Sequence, residues 1–358
     1  MSVAWIGDRE TPFEQAAEKA AALLHASRCP LFTIDADTDG TRAAIGLAKL
    51  VGAAYDHPGG ASLARETTLF TDQGGMFVTP GEARRRADVL VVVGALPDIH
   101  LSFLAELFTS PPDLPAVGQR RVFVIGNVSL PPGTDGPVEM LSCGGEAATL
   151  AALRAQCAGR KVATPVQNFD RFAEALAAAR FPVFLFSGRA SESPAIEMLQ
   201  GLVSDLNRKS RAAALFLPAS ESGWGSTLAS TWLTGFPMRT GFARGFPEYD
   251  PWRFDAARMI ADGEADLHLR VSTWPDTAPA NNDGIDFVAL QHTDGPVAGA
   301  QVTIAVGEAG IDHDAVLYSS RTGTFAFKRA PAASSSPPAA AVLRAIAERV
   351  PGGAPDLC

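Results

Sequence analysis

Five consecutive aliphatic residues, Val89-Leu90-Val91-Val92-Val93, constrain this chain more than any other stretch. A run with no polar alternation must be covered on both faces, which is the pattern of an interior strand in a parallel sheet. Gly94 ends the run, and residues 95–98 lead into a helix expected to start near Ile99. Ligands of open α/β sheets sit beyond the carboxyl ends of the strands, so residues 94–100 form a first candidate loop.

Similar apolar runs recur at residues 30–34, 121–125, 138–141, 182–186, 213–217, 267–271, 287–290 and 301–306. Helical periodicity lies between many of them, over residues 11–27, 41–51, 145–157, 169–179, 194–207 and 339–349. That alternation predicts an α/β fold of largely parallel sheets with helices on both faces. With 358 residues, 47% of them hydrophobic, the chain can fill two cores. The YDHPGG break at 55–60 suggests where a second lobe begins. The expected organisation is a discontinuous first domain (1–56 plus 165–329), an inserted α/β domain (57–164), and an Ala/Ser/Pro-rich linker with a C-terminal helix (330–358).

Composition removes several function classes. A net charge of −9 disfavours nucleic-acid partners and anionic membrane surfaces, which need clustered Lys and Arg. No apolar run reaches the roughly 20 residues of a membrane span and no signal-type segment opens the chain, so a cytoplasmic location is expected. Cys29, Cys143, Cys157 and Cys358 lack metal-site spacing and read as buried free thiols. Asp35, Asp37 and Asp39 alternate before Gly40, but Arg42, Ala43 and Ile45 follow where further calcium ligands would stand; a turn and helix cap is the reading.

Glycines at strand-to-turn junctions (Gly94, Gly126, Gly188) can bring backbone N–H groups up to an anion, yet none belongs to a dinucleotide or P-loop motif. Residues 223–249, GWGSTLASTWLTGFPMRTGFARGFPEY, form the least generic stretch and read as a mostly irregular, Gly-rich run. Its tryptophans and its two arginines, Arg239 and Arg244, suit a protein interface, or a clamp for a carboxylate or phosphate. The six histidines are dispersed; His100 is the best placed and reads as a core or helix-start residue.

Several segments together resemble one family: PLFTIDADTDGTRAAIGLAKLVGA, TPGEARRRADVLVVVGALPDIH, FPVFLFSGR, STWLTGFPMRTGFARGFPEYDP and ADLHLRVSTWPDTAP. From about residue 13 to 349 the chain is similar to the B subunit of formylmethanofuran dehydrogenases, in the molybdopterin oxidoreductase superfamily. The resemblance implies two Rossmann-like parallel-sheet lobes corresponding to formate dehydrogenase domains 2 and 3. Redox members carry a cysteine-rich iron–sulfur segment and a Cys-His-Gly stretch whose Cys ligates molybdenum or tungsten. Here the first cysteine is Cys29, and Ser62, Leu63 and Ala64 fall about where Cys-His-Gly is expected.

Those losses resemble the B subunit of the formyltransferase/hydrolase complex of methylotrophic bacteria. That complex moves a formyl group from tetrahydromethanopterin to a furan carrier and hydrolyses it to formate. The resemblance implies a catalytically inactive scaffold without a cofactor or metal of its own. Its implied partners are an amidohydrolase-like A subunit, a C subunit, plus a formyltransferase subunit, which use the tetrahydromethanopterin and the furan carrier. Two rival readings are an active molybdenum or tungsten oxidoreductase, and a small-molecule binding protein. In the latter a vestigial cleft at Gly94, Asp98, Ser187, Gly188 and Trp274 holds a nucleotide or the carrier's acidic tail, helped by Arg239 and Arg244.

Overall fold

The computed structural model describes residues 3–68, 70–71, 74–113, 120–129, 131, 138–188, 193–275, 284–331 and 334–352. The chain forms two compact units: Met1–Ala64 with Glu221–Tyr318 and Phe325–Cys358, and Arg65–Ser220 with Ser319–Thr324.

In the second unit the run Val89–Val93 is the central strand of a five-stranded parallel sheet. The order is Val138–Leu141, Arg121–Ile125, Val89–Val93, Pro182–Phe186, Ala213–Phe216. In chain order the strands run outward from Val89–Val93 to one side, then from Pro182–Phe186 to the other, which is the doubly wound arrangement. Both faces of the central strand are covered. Val89, Val91 and Val93 join the core under helices Glu146–Cys157, Phe169–Ala178 and Ser193–Leu206, with Leu150, Phe172 and Leu199. Leu90 and Val92 join the other core, with Ala83 of helix Pro80–Arg86 and Phe103, Leu104 and Leu107 of helix Leu101–Thr109.

The first unit holds a nine-stranded mixed sheet. Its five inner strands are parallel, in the order Ala54–Asp56, Pro30–Asp35, Leu267–Ser272, Asp286–Gln291, Val302–Ala305. Antiparallel strands flank them: Thr240–Gly241 and Glu248–Tyr249 at one edge, Ala4–Ile6 and Arg9–Thr11 at the other. Phe32 and Ile34 face a core built with helices Phe13–Ala26, Thr38–Val51 and Ala339–Ala347, while Leu31 faces a smaller cluster with Phe254 and Met259. The strand order turns between Pro30–Asp35 and Leu267–Ser272, which places this unit's crevice after Asp35 and Ser272.

Four expectations need correction. The second unit runs to Ser220 rather than residue 164, because Pro182–Phe186 and Ala213–Phe216 pair with the Val89–Val93 sheet. Strand periodicity cannot say which sheet a strand joins; pairing decides it. The first unit is mixed rather than purely parallel at its edges. Helix Ala339–Ala347 is part of the first unit's core, with Leu343 and Ile346 fully buried, and is no appendage after a linker. Residues 221–234 form a helix, Glu221–Thr234, in place of an irregular run. The glycines there serve close packing: a Cβ on Gly223 would lie 3.0 Å from the His57 ring, and one on Gly225 would lie 3.1 Å from Cβ of Tyr318.

Leu343→Ala is expected to destabilise the protein by about 2–5 kcal/mol in denaturant titration, the range for a fully buried leucine. A loss below about 0.5 kcal/mol, the surface range, would mean the terminal helix is only appended.

Candidate functional site

The carboxyl edge of the second unit's sheet is occupied by one of its own side chains. Glu66, in helix Gly60–Thr68, is fully buried, and its Oε1 accepts from the N–H of Gly188 (3.1 Å), the N–H of Ala219 (2.9 Å) and the hydroxyl of Ser187 (3.4 Å). Ser187 and Gly188 directly follow strand Pro182–Phe186, so these donors are the ones such a sheet offers to an anionic ligand. Glycine is required at 188: a Cβ there would sit 2.3 Å from Cγ of Glu66. The other carboxylate oxygen, Oε2, is buried with no hydrogen-bond partner among the described residues. Burial pushes the Glu66 carboxyl up to about 7, against the hydrogen bonds from Ala219, Gly188 and Ser187 and the charge of Arg65.

In the first unit, Asp35 ends its strand at the crevice. Its Oδ1 accepts from the indole N–H of Trp274 at 2.8 Å and faces Nε2 of His57 at 3.4 Å, with a further hydrogen bond from Ser222. Nδ1 of His57 accepts from the N–H of Gly59 (2.8 Å), so the ring proton belongs on Nε2, toward Asp35. Burial pushes the Asp35 carboxyl up, but His57, Ser222 and Trp274 around it leave it below the usual range. Asp35 is thus a shared acceptor that joins three elements.

Asp56, 1% exposed, accepts from Nε of Arg239 (3.2 Å) and from the N–H groups of His57 and Ala256. Arg239 also pairs with Asp255 at 2.6 Å and holds a left-handed backbone, φ 67°. It is a buried internal staple, which corrects the expectation of an anion clamp or interface residue: both its carboxylate partners lie within its own unit. Arg244 is exposed, chelates the carboxylate of Glu248 and lies over the ring of Phe246.

Of the vestigial-cleft candidates, Gly94, Asp98, Ser187 and Gly188 fall in the second unit and Trp274 in the first. Within the second unit, Glu66 brings Ser187 and Gly188 together. Gly94 is buried with φ 68° and donates to the carbonyl of Ile125, and Asp98 is exposed in the turn Asp98–His100. His100 is buried with Nε2 2.8 Å from the carbonyl of Pro218, in keeping with a core histidine. Ser62 is half-buried, with its backbone N–H on the carbonyl of Gly59. Cys29, Cys143 and Cys157 are free and half-buried, more open than expected, and Cys358 lies outside the described residues. Burial raises the thiols of Cys29 and Cys157, the latter to about 11, so neither is a ready thiolate. Sequence reasoning misses Glu66 and His57: a Glu on a short helix and a His before Pro carry no motif.

No family model matches the chain. The B subunit of the formyltransferase/hydrolase complex Fhc of Methylorubrum extorquens is 33% identical over 361 residues, covering 97% of this chain and 98% of that protein. The chain belongs to the family of Fhc B subunits. The X-ray structure of the formyltransferase/hydrolase complex (FhcABCD) from the same organism, in complex with methylofuran, contains a chain that matches with a TM-score of 0.88. That match has 32% identity and covers 97% of this chain and 98% of that one. The B subunit of the tungsten-containing formylmethanofuran dehydrogenase 2 of Methanocaldococcus jannaschii is 24% identical over 342 residues, 87% of this chain and 77% of that protein.

The tungsten of that last relative tests the fit of a metal here. A soft metal wants thiolate donors, and residues 57–68 contain no sulfur. Among the described residues no three His, Cys, Asp or Glu side chains are grouped as a metal site. The anion-accepting donors at Gly188 and Ala219 already hold a carboxylate. The residues present do not fit a metal–pterin group.

Two substitutions probe these buried charges. A carboxyl raised in the folded state contributes stability below its unfolded value and loses it as pH rises through the folded one. Between pH 5 and 8, wild type should therefore lose on the order of 2–3 kcal/mol relative to Glu66→Gln, read from denaturation at each pH. A pH-independent difference would contradict the raised carboxyl. Arg239→Ala should cost about 3–5 kcal/mol by stranding Asp56, and Asp56→Asn in the same chain should recover part of it; no recovery would mean the pair is not coupled.

Proposed function

We propose that this chain is the B subunit of a formyltransferase/hydrolase complex that converts formyl-tetrahydromethanopterin to formate through a formylated furan carrier. In this reading it is a catalytically silent scaffold in the cytoplasm. It derives from the two α/β lobes of a molybdopterin oxidoreductase, equivalent to formate dehydrogenase domains 2 and 3 without the iron–sulfur domain. Its partners are an amidohydrolase-like A subunit, a C subunit, plus a formyltransferase subunit, which carry the chemistry and contact the carriers.

The observation that carries this is the end-to-end match with the B subunit of a solved complex, in sequence and in fold alike. The residues agree with it: Ser62 offers oxygen near the expected metal-ligand position, and Glu66 fills the second unit's anion donors. No helix among the described residues is long and apolar enough to cross a membrane. The first unit also exposes aromatic anchors. Trp252 is 69% exposed under the guanidinium of Arg258, Trp232 is 66% exposed beside Phe325, and Phe246 is 52% exposed under Arg244. Exposed Trp and Arg pairs of this kind are what partner surfaces use as hot spots.

A second reading is favoured by a cleft of about 160 Å³ in the first unit, lined by Asp37, Glu221, Ser222, Trp274 and Tyr318. The related complex was solved with methylofuran, and in this second reading the cleft would contact such a carrier. The two acids would repel an acidic tail and suit a neutral or cationic group.

Co-expression with the partner subunits tests the scaffold reading. Trp232→Ala with Trp252→Ala should leave the fold intact, weaken retention of this chain in the complex by about tenfold or more, and lower formate release in proportion. Full retention would remove this surface from the interface, and lost turnover in an intact complex would argue for a direct catalytic part.

A further inference from the structure

The second unit carries a groove of about 1380 Å³ with a lopsided charge: Arg154, Arg160, Arg180, Arg208, Lys209 and Arg211 line it against one carboxylate, Asp205. Arg154 (2.6 Å) and Arg208 (3.5 Å) share that carboxylate. Arg160, Arg180, Lys209 and Arg211 are exposed and make no ion pair among the described residues. Such a cluster is unusual in a chain whose net charge is −9, since gathering cations without counter-charges costs self-repulsion that an anionic occupant relieves. The groove is also not purely polar. Phe169, Leu176 and Leu206, partly buried against the core, form its floor with small residues such as Ala155 and Ala173.

An apolar floor with a cationic rim is the mirror image of an acidic amphipathic helix, whose apolar stripe lies in a groove while its carboxylates reach the rim. The volume exceeds the roughly 300–1,000 Å³ of ordinary small-molecule pockets. Single-stranded nucleic acid would want stacking aromatics along the track, and the one aromatic among the lining residues, Phe169, is half-buried. We propose that this groove binds an acidic amphipathic helix of a partner protein. The inference rests on the second unit alone and stands apart from the aromatic surface of the first.

The test uses the full chain and labelled synthetic peptides in fluorescence anisotropy. One peptide carries Leu at helical spacing with Glu elsewhere, and its control carries Gln for Glu. The acidic peptide should bind, the control should bind at least about tenfold more weakly, and affinity should fall as salt rises from about 50 to 500 mM. Arg160→Glu, Lys209→Glu and Arg211→Glu together should abolish binding with an unchanged melting temperature. If that variant melts early, Lys209→Gln with Arg211→Gln should still weaken binding several-fold. Equal binding of the two peptides, indifference to both variants, or tighter binding of oligouridylate or phosphatidylglycerol vesicles would each overturn the proposal.

Discussion

Much of this protein's character follows from where one carboxylate sits. Doubly wound sheets gather unpaired backbone N–H groups at their carboxyl edge, and those groups need an acceptor. In the second unit Glu66 supplies it, bonding Gly188, Ala219 and Ser187 at once. A charged ligand would have to displace a fully buried side chain whose approach depends on the absence of a Cβ at Gly188. A position suited to recognition has become part of the chain's own packing.

The first unit deals with its crevice in a related way. Asp35 at the end of its strand is held by Trp274, His57 and Ser222, and Asp37 caps the following helix through the N–H of Gly40. Asp56, at the end of the neighbouring strand, is neutralised by Arg239. Acidic groups that could act as bases or ligands are committed to joining loops to the sheet. The first unit's exposed tryptophans and the second unit's exposed Arg160, Arg180, Lys209 and Arg211, unpaired among the described residues, lie on the outside instead.

The strands are legible in the sequence because burial on two faces leaves no polar alternation: Leu90 and Val92 face one core, Val89, Val91 and Val93 the other. Which strands share a sheet is concealed, since that depends on pairing between segments far apart, such as Val89–Val93 with Pro182–Phe186. Residues 223–234 read as irregular because their glycines look like loop residues, whereas here they let a helix approach the His57 ring and Tyr318. At the site, Ser187 and Gly188 are visible as a strand-to-turn junction. Glu66 is not, because nothing in its own segment reveals that it meets residues more than a hundred positions away. Arg239 looks available for a ligand because its partners, Asp56 and Asp255, are distant or separated from it by a turn.

On the scaffold reading proposed above, a redox-type framework has had its ligand positions taken over by oxygen donors and internal carboxylates. Metal and pterin analysis of the assembled complex, purified from cells supplied with both molybdate and tungstate, tests this most directly. Neither metal nor a pterin dithiolene should be present in stoichiometric amount with this chain. One tungsten or molybdenum per chain, with its pterin, would contradict that reading.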